Sequence, residues 1–448
     1  MKRKKYLRKG MAVTLAAVCA LSMAGCGSGK TDTDNDVEAR SGKTTQQVDA
    51  DNEIILYSSG TIVPDSVEWK ESAAGSAMAV VEKLTPDFTY TYRAFTSEDA
   101  DITYDEACAE RIREGKDDDI YSLNSDTIIN LGRESLLADL SDLDGVDQLL
   151  PAIRTACTID GKLVAFPREY VAYGLIVNND ILKEHGLEIP ETINEFYACC
   201  DKLKADGMET PMAANKWWLE CFVLSQGFQE FSDSDKADQL IADLNDGTTK
   251  MSTYMRPGFE FLKTCIDKGY INAEKAASYE AFEERDEYLG GESAFMTSFT
   301  GAVTGKGRKL NDYDFDLRIV GFPTENGQVA VASVTGNSIP ASDKKMDNAK
   351  KALEAYCSQE ATQVFCEKSG NFSARADVEL DMEKQPVLEG FMDDINAGRM
   401  VSASNPSINM ELWGNTCTVV QHLLAGSSVD DCMAEIDQLQ EEANQSVK

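Results

Sequence analysis

From residue 52 onward the chain alternates short apolar runs with longer stretches in which apolar residues recur every three or four positions. The runs read as strands and the stretches as helices. Ile54-Ile55-Leu56-Tyr57 is the first run, and it ends in the turn Ser58-Ser59-Gly60-Thr61. Trp69, Ala73, Ala77, Val80, Val81 and Leu84 then recur at helical spacing, and Pro86 closes the segment. Residues 88–95 alternate as a strand with one wet face, and residues 103–114 predict a helix ended by Gly115. A third strand is expected at Ile120-Tyr121-Ser122-Leu123, ahead of a run containing Leu136, Leu137 and Leu140. This β-α-β-α-β order predicts an α/β fold with a doubly wound sheet, which binds ligands outside the carboxyl ends of its strands. Ser59, Asn124 and Asp126 lie at two such ends.

Residues 161–182 organise the rest. Leu163-Val164-Ala165-Phe166 and Tyr173-Gly174-Leu175-Ile176-Val177 read as two strands, separated by Pro167-Arg168-Glu169-Tyr170. Pro167 offers no N–H to a ladder, so a central strand cannot run straight through it. Two strands with a polar, aromatic connector suggest a crossing between lobes. After it, Thr192 and Glu195 form a capping box that opens a helix to about residue 205. A short strand at 210–218 ends in Trp217-Trp218, and helices are expected over 257–268 and 278–289. Residues 291–301 read as strand and turn, 317–322 as a strand, 329–340 as a second crossing and 369–375 as a third. Two helices over 347–368, one over 382–397, one over 406–424 with Trp413 near its start, and a last one opened by Ser428 complete the pattern.

At 448 residues and 42% hydrophobic content the chain holds two domains. The first 25 residues read as a targeting segment: Lys2, Arg3, Lys4, Lys5, Arg8 and Lys9 precede an apolar run at 11–23 that is too short to span a bilayer. Met23-Ala24-Gly25-Cys26 resembles a bacterial lipobox, which implies cleavage before Cys26 and acylation of its thiol; Met23 stands where Leu is commonest. Residues 26–53 carry almost nothing apolar and read as a disordered tether with a reach of roughly 30 Å. Loss of the targeting segment removes six positive charges and takes the formal charge from −34 to −40. Such a surface excludes nucleic acid and anionic headgroups as partners and leaves neutral ligands open.

Of twelve cysteines, Cys19 lies in the targeting segment and Cys26 is the acylation site; the other ten include no C-x-x-C pair and read as small buried hydrophobes without a disulfide framework. Catalytic motifs are missing. The two histidines are His185, placed to cap a helix end, and His422. No H-E-x-x-H, G-x-S-x-G or phosphate loop occurs. Asp117-Asp118-Asp119 lacks the spacing of a calcium loop and reads as a solvated turn, so neither metal nor cofactor is expected. With 77 acidic residues, a glycosidase pair of carboxylates is neither excluded nor nominated.

Three blocks carry a family resemblance. Gly161-Lys-Leu-Val-Ala-Phe-Pro167 followed by Gly174-Leu-Ile-Val-Asn-Asn-Asp-Ile-Leu182 resembles the hinge of extracellular solute-binding proteins of sugar ABC transporters. Asp119-Ile-Tyr through Leu136-Leu-Ala-Asp-Leu140, and Gly291 to Gly301, resemble two further blocks; Asp118 stands where Pro is usual. The resemblance spans residues 52–440. It implies a type II two-lobe fold with three crossings, one lobe of residues 54–168 plus 336–376 and another of 169–335 plus 377–448. It also implies a ligand cleft with stacking aromatics and polar partners at Ser59, Asn124, Asp126, Tyr170, Tyr173, Trp217, Trp218, Phe299, Asn337 and Trp413. Asn215 is a further polar candidate, and Arg168, Lys216 and Arg375 leave an anionic ligand open. Sugars present C–H faces to aromatic rings and hydroxyls to fixed polar groups, so an oligosaccharide is the expected ligand. The implied protein is a monomeric, lipid-anchored binder on the outer face of the cell membrane, handing ligand to an ABC permease. Two other readings stay open: a binding protein that reports ligand to a membrane receptor, and an exported carbohydrate-active enzyme.

Overall fold

Ile54, Ile55, Leu56, Tyr57, Tyr90, Tyr92, Ile120, Tyr121 and Leu123 are all buried, in near-continuous runs that suit strands covered on both faces. The computed structural model describes residues 37–41, 50–95, 102–232, 234–280, 283–304, 313–381, 383 and 386–447. The targeting segment and Cys26 lie outside the described residues. The first strands are β1 (Val37–Ser41), β2 (Glu53–Ser58), β3 (Thr89–Ala94) and β4 (Ile120–Asn124), with the small hairpin β5 (Thr158–Ile159) and β6 (Lys162–Leu163) beyond them. Next come β7 (Glu169–Asn178), β8 (Met212–Ala213), β9 (Phe295–Phe299), β10 (Leu317–Val320), β11 (Phe322–Thr324), β12 (Gly327–Ser338), β13 (Phe372–Ser373) and β14 (Met400–Ser402).

The main sheet runs β1-β3-β2-β4-β12-β7-β9-β8, with β2 parallel to both β3 and β4. β12 reverses the direction and serves two halves of the molecule. Its residues 335–338 pair with β4, while 331–334 pair with β7. β7 and β13 complete the three connections between the halves, with Phe372 opposite Tyr170. The type II, two-lobe architecture expected from the sequence is therefore present. Gly336 sits at the turning point because an added Cβ would lie 2.6 Å from the Ala165 Cβ.

Several local expectations change. Val37–Ser41 pairs antiparallel with β3, so part of the expected tether is an edge strand. Leu163 to Phe166 is not a full strand: only Lys162–Leu163 and a single bridge from Phe166 to Asn337 form, and the crossing strand already starts at Glu169. The face of β3 expected to be wet is covered, with Thr91 and Arg93 buried; Arg93 is held by Asp117 and Asp118. The Ser252–Asp267 helix begins five residues ahead of Pro257, because Gln440 and Asp437 of the last helix accept the N–H groups of Met251 and Ser252. The segment expected as one helix at 278–289 is instead two short ones, Ala273–Ser278 and Arg285–Leu289. Trp413 opens its helix rather than following a first turn from Pro406. The ten described cysteines are all buried and free, as their apolar surroundings suggested.

Asp117-Asp118-Asp119 is no solvated turn. Asp118 is buried, accepts from Arg111 Nε at 2.7 Å and from the Tyr121 hydroxyl at 2.6 Å, and pairs with Arg93. Asp119 is buried against Lys345 at 2.7 Å. Stripping one partner from a buried, hydrogen-bonded ion cluster strands the others. Asp118→Ala is expected to cost about 3–5 kcal/mol in urea unfolding; a loss under about 1 kcal/mol, the range of an exposed pair, would contradict this assignment.

Candidate functional site

Side chains alternate across β7, so Tyr170 and Tyr173 face opposite sides. Tyr173 faces a run of aromatics. Its ring centroid lies 5.2 Å from that of Trp413 and 5.6 Å from that of Phe299, and Phe299 lies 5.8 Å from Trp218 with edge-to-face geometry. Phe299 is held opposite Tyr173 by the β7–β9 register. Trp413 reaches the cluster from the first residue of the Trp413–Leu424 helix. Trp218 arrives through a strained turn, with φ at +68°. A bulky residue there costs about 1–3 kcal/mol and persists only where its surroundings impose it. Here Asn215 Oδ1 accepts the Trp217 N–H at 2.7 Å, closing the turn that delivers Trp218.

Asp126 meets the segment that leads into Trp413. Asn124 Oδ1 caps the Ser125–Arg133 helix by accepting the Thr127 N–H at 2.8 Å, which places Asp126 in its first turn. Asp126 accepts from Ser404 Oγ at 3.1 Å and faces Glu411, two residues ahead of Trp413. Burial first, and then the Glu411 charge, push the Asp126 carboxyl well above the usual range. Arg133 of the same helix donates to the carbonyls of Pro406 at 2.8 Å and Ile408 at 2.7 Å. A cavity of about 240 Å³ runs along this seam, lined by Asp126, Asn130, Arg133, Ser404, Glu411 and Asn415.

Two acids that the sequence reading passed over flank the turn at 215–220. Glu220 and Glu284 are fully buried, and neither oxygen of either carboxyl makes a hydrogen bond of ordinary geometry. Burial pushes Glu220 up to about 8; the N–H groups of Glu220 and Trp218 and the Cys417 thiol counter it only in part. Burial pushes Glu284 up to about 7 against the weaker pull of Asn215 and Arg285. Glu220 was findable: it is the one charge in the apolar run Trp217-Trp-Leu-Glu-Cys-Phe-Val-Leu224. Glu284 was not, since it stands among other acids from Glu280 to Glu287.

The expected site residues separate into two groups. Tyr173, Trp218, Phe299 and Trp413 come together, Trp217 is half-buried on the same turn under Lys216, and Asp126 lies apart from them against Ser404 and Glu411. Ser59 and Asn124 lie half-buried at strand ends, with the Asn124 carbonyl oxygen committed to its cap. Tyr170 and Asn337 belong to the crossings instead. Tyr170 packs on Phe372 at 5.5 Å, and Asn337 Nδ2 donates to the Phe166 carbonyl at 3.1 Å. Arg168 lies under the rings of Phe365 and Tyr356, and Arg375 is taken by Asp377, so neither faces the aromatic cluster.

The bacterial extracellular solute-binding protein family matches residues 77–389, and the chain belongs to it. No curated protein sequence matches the chain. Among solved structures it is similar to a family 1 extracellular solute-binding protein from Bifidobacterium longum subsp. infantis, at 21% identity and a TM-score of 0.66 over 86% of this chain and 98% of that one. It is also similar to the RafE binding protein solved with raffinose, at 15% identity and 0.66 over 88% and 99%. The GacH receptor of Streptomyces glaucescens, solved with acarbose, matches at 16% identity and 0.65 over 88% and 99%. These likenesses establish the fold. Among the described residues no helix is long and apolar enough to cross a membrane.

The two raised carboxyls make a pH prediction. An acid whose folded value lies above its unfolded value stabilises the fold below the unfolded value and loses that contribution as pH rises through the folded one. For Glu220 and Glu284 that window runs from the ordinary 4.5 to about 8 and about 7. The ligand-free protein is expected to melt several degrees lower at pH 8 than at pH 5, with the slope reduced in Glu220→Gln. A melting point that rises across this window would contradict their unpaired burial.

Proposed function

We propose that the protein is a lipid-anchored extracytoplasmic binding protein that captures a carbohydrate, an oligosaccharide, between its lobes and delivers it to an ABC importer. The observation that carries the reading is the aromatic cluster of Tyr173, Trp218, Phe299 and Trp413, with Asp126 facing Glu411 two residues ahead of Trp413. Aromatic rings suit the C–H faces of a sugar, and a carboxyl suits its hydroxyls. Raffinose and acarbose, with which RafE and GacH were solved, support the same class. Cys26 takes the acyl chain, and the tether lets the domain turn at the membrane. Lobe 1 comprises 54–168 and 336–376; lobe 2 comprises 169–335 and 377–448. Each crossing is a hinge strand, and ligand that touches both lobes only when they are closed shifts the population towards closure. The protein acts as a monomer, binds without turnover, and presents the closed form to the permease.

A thermal-shift screen of the mature domain against mono- and oligosaccharides, uronates and peptides tests the reading. Carbohydrate at a hundredfold excess over Kd is expected to stabilise the fold by about 2.7 kcal/mol. Trp413→Ala is expected to weaken that binding by roughly tenfold or more, through the lost stacking. A silent carbohydrate panel beside a positive peptide would overturn the ligand class and leave the fold in place.

A further inference from the structure

The turn at 215–220 leaves more polar atoms unmet than an interior tolerates. Besides the two carboxyls of Glu220 and Glu284, the Asn215 amide nitrogen and the Thr297 and Ser298 hydroxyls are buried without a hydrogen-bond partner. Nearly all buried polar groups in folded proteins are paired, so such a group marks a missing partner. Asn215 is fully buried, and its amide is directed towards the Glu284 carboxyl. Glu220 lies beside Cys417, one helical turn below Trp413. Thr297 and Ser298 precede Phe299 on β9. The unmet atoms therefore bracket the aromatic cluster and its Trp217-Trp218 turn.

The chemistry of the missing partner follows from what is already spent nearby. Lys216 is tied to Glu280 at 2.6 Å. Arg133 is committed to backbone carbonyls. Arg285 opposes the rise of Glu284 without preventing it. A buried acid with no cation is rare in a folded protein unless something else supplies the positive charge. Burial favours the neutral form of both acids, and a neutral sugar hydroxyl would leave them so. An ammonium group offers three donors and a charge that lets the acid it meets ionise.

We propose that the ligand carries protonated amines, met by Glu220 and by Glu284 on either side of the Trp217-Trp218 turn, so that the captured carbohydrate is an amino sugar oligomer with free amines. The inference rests on the carbohydrate reading above and adds the charge of the ligand to it. Isothermal titration of the mature domain with glucosamine oligomers, their N-acetylated forms and glucose oligomers of equal length tests it. Spermidine and a lysine-containing tripeptide serve as amines without a sugar. The glucosamine series is expected to bind roughly tenfold or more tighter than both neutral series, as a charge-assisted hydrogen bond exceeds a neutral one. Glu220→Gln and Glu284→Gln keep side-chain shape and remove the charge, so each is expected to move that ratio towards one. Their ligand-free melting points at pH 8 should equal or exceed that of the unaltered protein; a large drop would assign the acids to structure and overturn the inference.

Neutral oligomers binding as tightly as glucosamine oligomers would overturn the amine and leave the carbohydrate reading intact. Binding of spermidine or the tripeptide with every oligosaccharide silent would uphold the cation-holding role of the two acids and overturn the carbohydrate.

Discussion

Everything in this molecule hangs on one strand that belongs to two sheets. β12 gives residues 335–338 to β4 and residues 331–334 to β7, so the two halves share a backbone ladder rather than a flexible linker. A ladder transmits rotation and resists separation, because each backbone group that leaves it must find another partner. Gly336 marks the change of partner, where Ala165 leaves no room for a side chain. Phe166 and Asn337 bond to each other on both backbone and side chain, pinning the neighbouring crossing to the same point. With the crossings pinned there, residues that meet across the seam are set by topology.

That topology explains why the polar chemistry of the site is costly in isolation. Asp126 and Glu411 face one another from opposite halves, while Glu220 and Glu284 are buried within one half without partners. None of these arrangements stabilises the ligand-free fold. The strain at Trp218 points the same way. By contrast, both carboxylate oxygens of Asp118 are met, by Arg93 on one and by Arg111 and Tyr121 on the other. Paired buried carboxylate supports the scaffold, and the unpaired buried carboxyls Glu220 and Glu284 flank the Trp217-Trp218 turn. Function takes the places where folding alone would have chosen otherwise.

Much of the scaffold was legible from periodicity alone. The β-α-β-α-β start, the helix over 103–114 and the capping box at Thr192 follow from local rules, the three crossings came with the family resemblance, and the structure bears them out. What local rules could not supply came from distant chain. The helix through Pro257 starts early because Gln440 and Asp437 satisfy its first N–H groups. Asp118 is buried because Arg93 and Arg111 converge on it from other elements. In the candidate site, resemblance placed the four clustered aromatics, yet it also nominated Tyr170 and Asn337, which the crossings consume. The Tyr170–Tyr173 spacing already puts the two on opposite faces of a strand. Glu284 carried no local signal, since burial among surface acids is decided only by tertiary contact.

The central claim is that ligand closes the lobes about β12. The ten described native cysteines are buried, so cysteines introduced at exposed Thr61 and Ser278, one on each proposed lobe, can carry a fluorophore pair. Energy transfer between them measures lobe separation directly. The account predicts that carbohydrate collapses the distance distribution to a single shorter population, saturating at the same concentration as the thermal shift. An unchanged distribution at saturating ligand would contradict hinge closure and leave a static binding surface.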